Sequence, residues 1–228
     1  MSKYAVLAGL GEYYGRRASG YRTLPFAYRN VVSLMTKLHD NQWITPPPLI
    51  NEAATKDNIF FKLSEVTKQA VDNDTVLFYF TGHGDRHVNV SSSGTDHYLV
   101  TATSLPPNPS TFNIAAFLNE INYGEIISQF SDGKRHLVTI IDCCYAFGLI
   151  DGYEFQQDFH TVIAASSENN QSFFNSNSLF FQALMASWNE PSYTRMKAAI
   201  EAKMIQLRSP TPCKIRLSAT FKSDALIK

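Results

Sequence analysis

His83 and Cys144 are the two side chains whose type and setting suit nucleophilic catalysis. Each follows an unbroken apolar run. Val76-Leu77-Phe78-Tyr79-Phe80 leads into Thr81-Gly82-His83-Gly84, and His136-Leu137-Val138-Thr139-Ile140-Ile141 leads into Asp142-Cys143-Cys144. Runs of this kind are typical of strands buried on both faces of a parallel sheet, and ligands gather beyond the carboxyl ends of such strands. A thiol attacks as its thiolate and needs a proton acceptor close by, which a histidine on a neighbouring strand end supplies. Glycine on either side of His83 lets the backbone approach a substrate closely. Taken singly, His83 reads as a turn histidine and Cys144 as a small buried hydrophobe. Taken together, they read as a base and a nucleophile. His87, His97 and His136 lack the glycine frame and read as ordinary polar residues.

The elements that must position this pair follow from apolar periodicity. Strands are predicted over 4–10, 76–80, 136–141, 161–165 and 213–220, and helices over 25–39, 56–71, 178–188 and 192–208, with helical segments between 112 and 130. Pro25 suits a first helical turn. Residues 85–110 are rich in Ser, Gly, Asn and Pro, and read as a loop or hairpin insertion containing the strand fragment Tyr98-Leu99-Val100. Strands alternating with helices predict a layered α/β fold around a mostly parallel sheet. No repeat, linker or hinge interrupts it, so residues 1–228 are expected to form one domain.

Bulk properties narrow the function classes. The 20 basic and 20 acidic side chains cancel, so neither nucleic acid nor an anionic membrane is the expected partner. The first apolar run, Tyr4 to Leu10, is too short for a signal peptide or a membrane span, and a cytoplasmic protein is expected. Three cysteines, at 143, 144 and 213, form neither a disulfide framework nor a CxxC metal pattern. There is no Gly-x-Ser-x-Gly elbow, Gly-x-Gly-x-x-Gly fingerprint or phosphate loop.

The segments Phe80-Thr81-Gly82-His83-Gly84 and Ile141-Asp142-Cys143-Cys144-Tyr145-Ala146-Phe147-Gly148 resemble the catalytic histidine and cysteine motifs of caspases and metacaspases. The order agrees, and the 61-residue separation fits a histidine lying some ~50 residues upstream of the cysteine. Tyr4 to Gly9 resembles the family's first strand and Leu24 to Leu38 its first helix. Ala164 to Gln171, with Leu179 to Leu184, resembles its small-subunit region. The resemblance implies a caspase-like sandwich of about six strands with helices on both faces, large-subunit-like over 1–148 and small-subunit-like over 161–228, without a prodomain. It implies a cysteine endopeptidase with Cys144 as nucleophile, Cys143 facing the core, and His83 as base. The N–H groups of Gly84 and Cys144 would form the oxyanion hole, and a backbone carbonyl would orient the imidazole.

The same resemblance puts Asp142 in the first specificity pocket, with Thr81, Asn30 and Ser166 as further substrate-binding residues. An enclosed aspartate attracts Arg or Lys. Between His136 and Thr194 there is no Lys or Arg, whereas Asp142, Asp151, Glu154, Asp158, Glu168 and Glu190 are acidic, so cleavage after Arg or Lys is expected. Two departures bear on this. Asn30 stands where metacaspases usually have an aspartate, and Arg16, Arg17 and Arg22 lie near where caspases place the arginine that recognises aspartate, which keeps an Asp-specific protease as an alternative. Tyr145-Ala146-Phe147-Gly148 departs from the usual Cys-His-Ser-Gly run, and a catalytically silent caspase-fold scaffold is the other alternative. Thr101-Ala102-Thr103-Ser104 stands where the family often carries a calcium-binding aspartate, so no cofactor is expected. The loop from Cys144 to Thr161 offers no basic residue to cut. The domain is therefore expected to act uncleaved on a protein or peptide, switched by an activating partner or by dimerisation.

Overall fold

The computed structural model describes residues 1–13, 21–88, 95–104, 119–129, 134–150, 160–167, 171–172, 174, 177–210 and 214–217. Its frame is a six-stranded sheet of β1 (Lys3–Gly9), β2 (Leu49–Ile50), β3 (Thr75–Thr81), β6 (His136–Asp142), β7 (His160–Ala164) and β8 (Lys214–Leu217), in the order β2-β1-β3-β6-β7-β8. All pairings are parallel except β7 with β8. A separate antiparallel hairpin joins β4 (Gly84–Val88) to β5 (Thr95–Leu99).

Alternation along the strands divides their side chains between two apolar layers. Tyr4, Val6, Ala8, Val76, Phe78 and Phe80 face Ile59, Leu63 and Val66 of α2 (Lys56–Gln69) and Tyr123 and Ile126 of α3 (Tyr123–Ser128). Ala5, Leu7, Leu77, Tyr79, Val138, Ile140 and Ile163 face Val31, Leu34 and Leu38 of α1 (Phe26–Asp40), together with α4 (Leu179–Ala186) and α5 (Tyr193–Gln206). Helices therefore cover both faces, which is why β3 and β6 lack a polar side: every residue but the first is buried in each. Each such large apolar side chain contributes about 1.5–3 kcal/mol through burial.

Helix starts follow side-chain chemistry. Thr55 caps α2 by accepting the Asn58 N–H, Asn122 and Glu125 form a capping box on α3, and Ser192 caps α5; each cap is worth ~1 kcal/mol. The expected strands and helices differ from these bounds by one or a few residues at their ends. Within the 85–110 segment the expected hairpin is present as β4 paired with β5, and 89–94 and 105–110 lie outside the described residues. Within the expected 112–130 helical stretch, Tyr123–Ser128 is helical, and 105–118 lie outside the described residues. β2 escaped periodicity because two residues carry no period. Among the described residues, no helix is long and apolar enough to cross a membrane.

Candidate active site

Strand register brings the ends of the two strands that precede the candidate catalytic residues to one level. Gly9 pairs with Thr81 and Thr81 with Asp142, so the tips of β1, β3 and β6 end at one level. His83 and Cys144 each lie two residues past the paired Thr81 and Asp142, on strands about 4.8 Å apart. The Gly82 N–H donates to the Asp142 carbonyl at 3.3 Å, which carries the pairing past the strand ends. Gly84 then packs directly on the Cys143–Cys144 turn. A Cβ there would collide with the Cys144 carbonyl oxygen and come within 2.8 Å of the Cys143 sulfur.

The cysteine loop is held from beneath. Cys143 points into the core, and its thiol donates to the Cys144 carbonyl at 3.3 Å. Ser166 is fully buried, donates to the Cys143 carbonyl at 3.1 Å and accepts the Ala146 N–H at 3.0 Å. Its hydroxyl is thus committed to bracing the loop, although the resemblance assigns it to substrate binding. Tyr145 has φ 56°, a left-handed turn uncommon for a non-glycine residue, and its ring lies 4.7 Å from the Arg86 guanidinium. Cys144 itself is half-buried. Burial pushes its thiol up, and an N–H from Ser172 partly offsets this.

His83 is fixed on three sides. Its N–H donates to the Tyr13 hydroxyl at 2.7 Å, and its ring lies 5.3 Å from that of Tyr13 and 5.2 Å from that of Tyr21. Its Nε2 is 2.6 Å from the Arg22 carbonyl oxygen. A carbonyl only accepts, so Nε2 carries the proton and Nδ1 is left as the basic nitrogen. Burial lowers the imidazole's affinity for a second proton, with the Arg22 carbonyl and the Asp85 charge opposing.

Asp142 occupies a polar chamber on the α1/α4 side of the sheet. It is 3 % exposed, and its Oδ1 accepts from Ser178 at 2.7 Å. Its Oδ2 accepts from Thr81 at 3.3 Å and from Asn30 at 3.4 Å. The Tyr79 hydroxyl is beside the same carboxylate without ordinary hydrogen-bond geometry. Burial outweighs these donors and raises Asp142 to about 6. The structure thus brings together Asn30, Thr81 and Asp142 and adds Ser178 and Tyr79. Sequence reasoning missed Tyr13, Tyr21, Ser172, Ser178 and Tyr79. The helix-capping pattern at Ser178 was a usable signal; the others had none. The Arg22 guanidinium lies 5.6 Å from the Phe174 ring, and Arg16 and Arg17 lie outside the described residues.

A family model for the metacaspase peptidase C14 domain matches residues 23–153, a span containing both motifs. The chain belongs to the metacaspase peptidase C14 family. No curated protein matches the chain significantly. Among solved structures, a protein from Geobacter sulfurreducens shares 14% identity with a TM-score of 0.73, over 95% of this chain and 92% of that one. That likeness establishes the fold. Thr101 Oγ1 and Ser104 Oγ both donate to the Asn119 carbonyl, at 2.6 and 3.4 Å. Among the described residues, no three His, Cys, Asp or Glu side chains form a cluster that could hold a metal ion.

Proposed function

We propose that this metacaspase-family protein is a cysteine endopeptidase that cleaves after Arg or Lys, with Cys144 as nucleophile and His83 as general base. The observation that supports the reading is the matched register of β3 and β6, which end at one level two residues before His83 and Cys144, with Gly84 packed against the Cys144 carbonyl. The ground state is a neutral thiol and a neutral imidazole, because burial raises the first and lowers the second. Nδ1 of His83 takes the thiol proton as sulfur attacks the scissile carbonyl. The N–H groups of Cys144 and Gly84 stabilise the resulting oxyanion. The imidazolium returns its proton to the leaving amine, and water hydrolyses the thioester.

Asp142 supplies the charge for the substrate's basic side chain, and Asn30 and Thr81 orient it. With Asn30 in place of a second carboxylate, a single negative charge serves the pocket. The substrate class is a protein or peptide, no cofactor enters the reaction, and the domain acts uncleaved under the control of a partner or a second copy. Recovery of active enzyme already cut between residues 145 and 160 would overturn that last point.

The scaffold alternative draws on the desolvated Cys144 thiol. A fluorogenic peptide panel varying only Arg, Lys or Asp before the scissile bond separates the readings, with Cys144→Ala alongside. Cleavage after Arg or Lys that vanishes in the variant supports the proposal. Cleavage after Asp replaces the pocket assignment, and no cleavage of any peptide favours the scaffold.

A further inference from the structure

The segment between β1 and α1 converges on His83 in a way the catalytic motifs do not account for. Its stem is closed: the Leu24 N–H donates to the Gly11 carbonyl at 2.8 Å, and a Cβ on Gly11 would lie 2.6 Å from the Leu24 oxygen. Asn51 Oδ1 accepts the N–H groups of Gly11 and Glu12 at 2.9 and 3.2 Å. From this stem Tyr13, Tyr21 and Arg22 all reach the same imidazole. Gly82 makes room for the arrangement, because a Cβ there would lie 2.9 Å from the Tyr13 hydroxyl. The two tyrosine rings are 5.3 Å apart, and the Tyr21 hydroxyl donates to Asp85 Oδ2 at 3.0 Å.

We propose that Tyr13 and Tyr21 are positioning residues of the general base, forming an aromatic cage that stabilises the His83 imidazolium during proton transfer, while the Arg22 carbonyl holds the Nε2–H tautomer. The inference rests on the proposed role of His83. Aromatic faces attract a cation more than a neutral ring, so the cage favours the charged imidazole that exists after the thiol has given up its proton. An interaction stronger after proton transfer than before it raises kcat rather than substrate affinity. The hydroxyls have separate tasks: that of Tyr13 anchors the His83 backbone, and that of Tyr21 ties the cage to Asp85. The charged group acting on the imidazole is Asp85 on β4, which favours the imidazolium; Cys143 and Cys144 after β6 face Tyr13, and Asp85 and Glu120 face Tyr21.

The test compares Tyr21→Leu with Tyr21→Phe in the full chain, Tyr21 being only half-buried. Loss of the ring is expected to lower kcat about tenfold with KM within about twofold, and to move the acidic limb of the kcat/KM profile to lower pH. The Phe variant, which keeps the ring, restores most of the rate. Unchanged kcat and pH profile in Tyr21→Leu, or a loss confined to KM, overturns the cage. Imidazole nitrogen NMR titration of Cys144→Ala protein, which needs no turnover, provides an independent reading. A His83 pKa that falls when Tyr21→Leu is added and is kept when Tyr21→Phe is added supports the proposal, and one that neither change moves overturns it. Failure of every peptide in the panel alongside that Tyr21-dependent shift would indict the protease reading and leave the cage standing.

Discussion

The two catalytic candidates are both held in their neutral forms, and this has consequences at the level of single residues. Because burial raises the Cys144 thiol and lowers the His83 imidazole, the rate of Cys144 alkylation by iodoacetamide is expected to climb steadily into the alkaline range. A plateau extending below neutral pH would mean a preformed thiolate–imidazolium pair instead. Asp142 carries a second pH dependence. Its folded value of about 6 stands above the ordinary 3.8, so between these values the folded protein holds the proton more tightly than the unfolded chain. Stability therefore falls as pH rises through that window, by up to about 3 kcal/mol, and the penalty is complete above the folded value. Asp142→Asn is expected to flatten the dependence of the denaturation midpoint on pH over that range and to abolish cleavage after Arg or Lys. A variant melt that retains the wild-type pH slope would mean that another group titrates there. On the proposed assignment of Asp142 to the specificity pocket, kcat/KM toward basic substrates should drop as Asp142 protonates below about pH 6.

At the scale of elements, the site depends on two loops that meet without a spare atom. Gly84 is where the histidine loop touches the cysteine loop. Overpacking at such a contact costs about 1–3 kcal/mol, and misplacing reacting groups by an ångström costs about a hundredfold in rate. Gly84→Ala is therefore expected to fold, with a lower melting temperature, and to lose at least that much kcat; wild-type turnover in the variant would refute the contact's importance. Ser166→Ala removes the hydroxyl that bridges the Cys143 carbonyl and the Ala146 N–H. Leaving both groups buried and unpaired should cost about 1–3 kcal/mol in chemical denaturation. A substrate-binding role for Ser166 would instead raise KM with stability unchanged. Most elements that carry the site were legible as elements: β3 and β6 are unbroken apolar runs and α1 has a helical period. For the β4–β5 segment a loop or a hairpin was legible but the β4 strand was not, because its polar sequence resembles a loop and its pairing is a property of two segments together.

For the whole molecule, the sheet order makes β3 and β6 the central strands, buried on both faces, with the short β2 and the antiparallel β8 at the edges. Native-state hydrogen exchange should therefore find the slowest amides on β3 and β6, opening only with global unfolding, and faster exchange on β2 and β8. Uniform protection across the sheet would contradict this ranking. His83 and Cys144 thus follow the two central strands, and Tyr13, Tyr21 and Arg22 from the described ends of the β1–α1 connection contact His83. The sequence by itself determined the α/β class, the two buried strands, the histidine-then-cysteine order and the motif that places the chain among metacaspases. These are local patterns, carried by side-chain periodicity and by residues adjacent in the chain. Only the tertiary structure decided that Tyr13, Tyr21 and the Arg22 carbonyl enclose His83, that Ser178 holds Asp142, and that Ser166 faces the loop rather than the pocket. Those contacts join residues between 20 and 70 positions apart, and their identity depends on strand register and helix placement, which no local period encodes.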